Sequence, residues 1–114
     1  MAKYNLIALT NAVAGRDDEF NDWYTNVHLA DVLKLPGVIA AQRYHMSGTQ
    51  HRPGPFDYGY MAVYEIEIDN IRDTLDELKA VSGTDRMPLS PALQDKRMVW
   101  IMEPITGRVE RPKG

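Results

Sequence analysis

Apolar positions along the chain fall into strand-like and helix-like stretches whose order predicts a fold. Lys3 to Thr10 places Tyr4, Leu6, Ile7 and Leu9 in a short β-friendly run, a first strand. Asn11 to Arg16 reads as a loop broken at Gly15. From Asp17 to Gly37 the period lengthens, and Phe20, Trp23, Tyr24, Val27 and Leu35 return to one side at helical spacing. Asp17 is the expected N-cap, with Asp18 and Glu19 where the helix dipole favours negative charge. Pro36 and Gly37 end this helix by Leu35. A bend near His28 is expected, since Leu29 and Leu33 otherwise point outward. Val38 to Met46 predicts a second strand, with Val38, Ala40, Gln42 and Tyr44 on one face and Ile39, Ala41, Arg43 and His45 on the other. Ser47 to Phe56, with its glycines and prolines, is a loop. Tyr58 to Ile68 predicts a third strand that puts Tyr58, Tyr60, Ala62, Tyr64, Ile66 and Ile68 on one face; alternation alone does not say which face meets the helices. Asn70 caps a second helix, Ile71 to Val81, with Ile71, Leu75 and Leu78 inward, and Ser82–Gly83 ends it. Ser90–Pro91 opens a turn inside the irregular stretch Thr84 to Asp95, and Lys96 to Glu103 predicts the fourth strand.

The order β-α-β-β-α-β is the pattern of a ferredoxin-like α+β sandwich, two helices on one face of a four-stranded antiparallel sheet. The other face needs a cover. Strand four is apolar on both sides, Met98, Trp100 and Met102 against Val99 and Ile101, so a homodimer packed sheet to sheet is expected. Residues 1–104 form one domain, and 105–114 a polar tail loosely held or laid over a partner.

Composition narrows the partners. A formal net charge of −3 over 114 residues argues against nucleic acid, which asks for a basic stripe. No apolar run is long enough to span a membrane, and the start is too short and strand-like for a secretion signal. The absence of cysteine removes disulfides and thiolate chemistry and suits the cytoplasm. The three histidines are irregularly spaced with no carboxylate cluster beside them, so no metal is expected. Gly54 and Gly59 do not make a phosphate loop, no G-x-S-x-G occurs, and no cofactor is expected.

Chemistry is sought in the first helix. Asp31 falls in the middle of its apolar stripe and His28 on the shoulder, although burying either costs several kcal/mol unless it is paired. Phe20, Trp23, Tyr24, His28, Val32, Leu35, Pro36 and Gly37 spell F-x-x-W-Y-x-x-x-H-x-x-x-V-x-x-L-P-G before a strand. That stretch resembles the first helix of EthD-like proteins in the dimeric α+β barrel superfamily. Many members carry proline two residues after the histidine; here the residue is Ala30. The resemblance implies the fold, the dimer and a pocket between helices and sheet. It does not select among the superfamily's cyclases, cofactor-free monooxygenases, isomerases, haem-degrading enzymes and proteins of no assigned reaction.

In such a pocket His28 is the expected proton carrier, Asp31 its orienting acid, and Tyr24, or a strand tyrosine such as Tyr60 or Tyr64, the donor to a developing oxyanion. Trp23, Trp100, Tyr60 and Tyr64 would supply flat walls for a ring-shaped substrate, and Arg43 is counted with them as substrate-binding. Plainer roles stand beside these: His28 as a hydrogen-bonded end to the helix, Asp31 as a cap or the partner of Arg43, and the aromatics as core. His45 and His51 read as surface residues. Three functions follow: a cofactor-independent acid–base enzyme (cyclase, isomerase, lyase or cofactor-free monooxygenase) acting on a small apolar oxygenated or aromatic compound; a non-catalytic small-molecule-binding or accessory protein of a catabolic pathway; and a structural dimer module.

Overall fold

Alternation settles the sheet. In β1 (Ala2–Thr10), Leu6, Ala8 and Thr10 are buried while their neighbours are only partly covered, and in β3 (Tyr60–Ile68) the buried set is Ala62, Tyr64 and Ile66. The computed structural model describes residues 1–114. Between and after these strands run α1 (Asp17–Trp23), a π-helical turn (Tyr24–His28), α2 (Leu29–Val32), β2 (Val38–His45), α3 (Ile71–Val81) and β4 (Met98–Met102). The strands form one antiparallel sheet in the order β2-β3-β1-β4. This is the predicted ferredoxin-like α+β arrangement. No helix is long and apolar enough to cross a membrane.

The tyrosine-bearing face of β3 is the one that meets the helices. Phe20, Tyr24, Val32, Leu35 and Val81 pack on Leu6, Ala8, Ala62, Tyr64 and Ile66, with Met87 and Ala92 closing the core from the segment before β4. Each leucine, valine, isoleucine, phenylalanine or methionine side chain among these, taken fully from water, contributes on the order of 1.5–3 kcal/mol. In β2, Ala41 lies opposite Tyr64 and Arg43 opposite Ala62, so both face the helices. A register irregularity between Val38 and Ala40 pairs Val38 with Ile66 on that same face and leaves Ile39 54% exposed, reversing the predicted alternation at this end.

Several boundaries shift. β3 begins at Tyr60, not Tyr58, and β4 is shorter than the run Lys96 to Glu103. Asp17 does not cap α1; Arg16 holds the cap position without a side-chain bond, and Asp17 Oδ2 instead accepts from the Tyr60 hydroxyl at 2.6 Å. Asn70 does cap α3, its Oδ1 accepting from Arg72 N at 3.0 Å. Thr74 on that helix is fully buried and donates to Pro36 O at 2.7 Å, which ties the Leu-Pro-Gly exit to α3. Gly37 there has φ +79°, and a Cβ would lie 2.8 Å from Ile68 Cβ, so only glycine fits. Beyond Met102 the chain has no helix or strand, and residues 103–114 are exposed.

Candidate functional site

The π turn determines which residues of the first helix face inward. Phe20, Tyr24, His28 and Val32 recur every four residues. In a straight α-helix, at about 100° per residue, Val32 would have drifted roughly 120° from Phe20. The wider π turn at Tyr24–His28 takes up most of that drift and holds all four on the side of the sheet. This corrects the stripe expected from helical period: Val27 is 40% exposed, His28 lines the interior, and Val32 takes the buried place assigned to Asp31.

Between helices and sheet lies a cavity of about 190 Å³. Leu6, Ala8 and Thr10 of β1 and Tyr64 of β3 make its floor; Tyr24, His28 and Val32 cover it from the first helix, with Leu78 of α3 and Leu89 and Leu93 at the side. The exposed Ser82, Arg97 and Val99 frame the mouth. A hollow of about 150 Å³ accepts a benzene ring, so this space suits one small ring.

Two phenols meet in it. Tyr64 donates its hydroxyl hydrogen to the Tyr24 oxygen at 3.0 Å, deep in the core. One hydroxyl hydrogen is used between them; that of Tyr24 has no acceptor in the protein. Burial pushes the Tyr24 pKa above its usual value despite the bond from Tyr64, and burial does the same to Tyr64 with the neighbouring Tyr24 adding to it. Both stay neutral donors through the physiological range.

His28 stands beside this pair. Its ring stacks on Trp23 at 4.7 Å and 28° and meets the edge of Tyr24 at 4.8 Å and 88°. Its Nδ1 is buried with no hydrogen-bond partner in the protein. Burial lowers the imidazole pKa to about 4, partly offset by the charge of Asp31 and reinforced by Arg97 and Arg43. The ring is therefore neutral near pH 7 and is not pinned as a hydrogen-bonded helix end.

The other predicted residues separate. Asp31 makes no bond to His28 or to Arg43; its Oδ1 lies 3.9 Å from Lys34 Nζ and its buried Oδ2 has no partner. Trp23 lies outside the cavity lining and acts as a brace, stacking on His28 and donating Nε1–H to Pro88 O at 3.1 Å. Arg43 lies behind Tyr24, its guanidinium carbon 4.5 Å from that ring, and donates to Thr25 Oγ1 and Asn21 Oδ1, each at 2.8 Å. With Tyr60 it borders a separate polar hollow at the β2 edge, not the cavity. Trp100 pairs with Ile7 on the opposite face of the sheet and is 40% exposed. Of the eight predicted residues, only His28, Tyr24 and Tyr64 line the cavity. Arg97 was not foreseen; it shares the strand parity of Val99 and Ile101, and that alternation is the signal that finds it.

The sequence matches no protein-family model, and no curated protein matches it. Solved structures are similar in fold. An ethyl tert-butyl ether D (EthD) family protein from Bacillus halodurans aligns with TM-score 0.63 and 24% identity over 90% of this chain and 99% of that one. A candidate monooxygenase from Shewanella loihica aligns with TM-score 0.62 and 13% identity over 93% and 97%. The haem degrader MhuD from Mycobacterium tuberculosis, solved with two haems in its active site, aligns with TM-score 0.62 and 17% identity over 93% and 99%. The chain has the ferredoxin-like α+β fold these proteins share, the fold that the resemblance between Phe20 and Gly37 implied.

Proposed function

We propose that this protein takes a small, largely apolar oxygenated ring compound into the cavity and moves a proton on it by general acid–base chemistry, with no resident cofactor. The observation that supports this most is the buried phenol pair. The unspent O–H of Tyr24, backed by the bond from Tyr64, is a preorganised donor for an oxygen that gains negative charge, in a largely apolar pocket. His28, neutral near pH 7, is the proton acceptor from the neighbouring carbon or hydroxyl. As negative charge builds at the phenols, the imidazolium formed at His28 is offset by that charge and by Asp31. Trp23 and Arg43 are positioning residues, the first holding the imidazole plane and the second the Tyr24 ring.

Haem, the group bound in the Mycobacterium tuberculosis structure, does not fit the cavity as it stands: a porphyrin is several times larger than a single-ring space. No step proposed for this chain runs through it. We also place a second copy of the chain on the apolar outer face of the sheet, and the protein in the cytoplasm, which suits a chain without cysteine.

A second reading, binding without turnover, is favoured by one observation: a base with pKa about 4 is weaker than the neutral-range value best suited to catalysis. Exchange of the α-hydrogens of a cyclic ketone such as cyclopentanone in deuterated buffer separates the two. On the catalytic reading the protein accelerates exchange, His28→Ala slows it by roughly 10²–10⁴ and Tyr24→Phe by about 10² or more, with folding checked by circular dichroism. Binding without exchange leaves the accessory reading standing.

A further inference from the structure

The cavity mouth carries one charged residue. Arg97 lies just before β4, on the parity of Val99, and neither salt bridge nor side-chain hydrogen bond ties its guanidinium to the protein. Arg16 is engaged with Glu19, Arg43 with Thr25 and Asn21, Arg72 with Asp76 and Arg86 with Glu77, while Arg52, Arg108 and Arg111, unengaged like Arg97, lie away from the cavity lining. No aspartate or glutamate lines the cavity. The charge of Arg97 reaches both Tyr24 and His28 and acts in the same direction as that of Arg43; at Tyr24 the two arginines are unopposed, while at His28 the negative charge of Asp31 counters them. An apolar pocket with a neutral donor pair at its floor and an unpaired guanidinium at its opening is complementary to a ligand that is apolar at one end and anionic at the other.

We infer that the compound taken up is a small ring monocarboxylate, its ring among Leu6, Ala8 and Leu93 and its carboxylate at the mouth on Arg97. This rests on the cavity being a ligand site, as proposed above, and adds the chemical class that the phenol pair and His28 leave open. The planar fork of Arg97 matches a carboxylate with two N–H groups, and its exposed position lets the anion keep part of its hydration, so the cost of desolvation stays small. Arg97 thereby becomes the residue that selects acids over neutral rings of equal size.

Benzoate and nitrobenzene test this, being nearly the same shape but differing in charge. Binding is followed by nuclear magnetic resonance titration of the full chain, with ring signals of Tyr24 and Tyr64 reporting the location. Wild type is expected to bind benzoate roughly five- to tenfold tighter than nitrobenzene. Arg97→Gln should remove that preference while leaving nitrobenzene affinity within about twofold, and added salt should weaken benzoate alone. Equal affinity of the two probes in wild type, or benzoate binding unchanged in Arg97→Gln, overturns the assignment of Arg97 and leaves the cavity as a site for neutral rings. Failure of both probes to perturb Tyr24 and Tyr64 overturns the cavity reading itself.

Discussion

His28 shows how one side chain links packing to pH. Its folded pKa of about 4 lies below the ordinary 6.5, so between these values the unfolded chain binds a proton that the folded chain does not. Stability is accordingly whole above about pH 6.5 and falls as pH drops toward 4, by roughly 2–3 kcal/mol from this group. His28→Phe keeps a flat ring against Trp23 and removes the titration. Urea unfolding at pH 7 and pH 4 should therefore show a steeper loss for wild type than for the variant, and equal slopes would mean that the imidazole is not desolvated. The same depression sets the pH range of the proposed acid–base step. If neutral His28 is the base, kcat/KM stays level down to about pH 5 and declines with a midpoint near 4, not 6.5, while the raised phenols add no alkaline decline below about pH 10. From sequence, His28 was identifiable as an imidazole on a helix bearing an apolar face. The lowering of its pKa was not, because that depends on what Trp23 and Tyr24 exclude from it.

At the scale of elements, the π turn and β2 act together. Arg43 reaches from β2 to Asn21 in α1 and to Thr25 in the π turn, and its guanidinium covers Tyr24. It fastens the helix on both sides of the point where the hydrogen-bonding pattern changes. Arg43→Met keeps an unbranched apolar stem over the ring and loses both bonds. It should cost about 1–2 kcal/mol in thermal or urea unfolding, the guanidinium being only partly buried, and should speed amide exchange in Tyr24–His28. Unchanged exchange there would mean the turn holds itself. Helical period foresaw a bend near His28 but put Asp31 on the inner face and Val27 in the core, because it assumed about 3.6 residues in every turn. A single turn of wider pitch exchanges those places, and its hydrogen bonds leave little mark in residue type. α3, by contrast, was legible from end to end: Asn70 caps it and its boundaries are the expected ones.

For the whole molecule, the outer sheet face raises the question of assembly. Ile7 lies between Val63 and Trp100, and Leu9 between Met61 and Met98, while Tyr44, Met98, Trp100 and Met102 are each at least 40% exposed. An exposed apolar patch of this kind favours the sheet-to-sheet pairing proposed above. Sedimentation or light scattering should give twice the 13.0 kDa chain mass, and Trp100→Glu, placing a charge on the β4 side of that face, should give the single-chain mass with circular dichroism unchanged. A wild-type protein that is monomeric at micromolar concentration refutes the sheet-to-sheet pairing.

The linear order of apolar periods determined the ferredoxin-like topology, since alternation and helical spacing are properties of neighbours in sequence and only a few layered solutions bury them all. It also brought out His28, Tyr24 and Tyr64 as chemically capable residues. What the tertiary structure alone decided is which of the eight candidates meet. Trp100 faces the far side because strand parity has two outcomes until the helices choose one, Asp31 is turned aside by a π turn, and Arg97 joins the cavity through a strand register set by β1. Cavities, and the fields inside them, are made where segments distant along the chain fail to fill space completely, and no local pattern encodes that remainder.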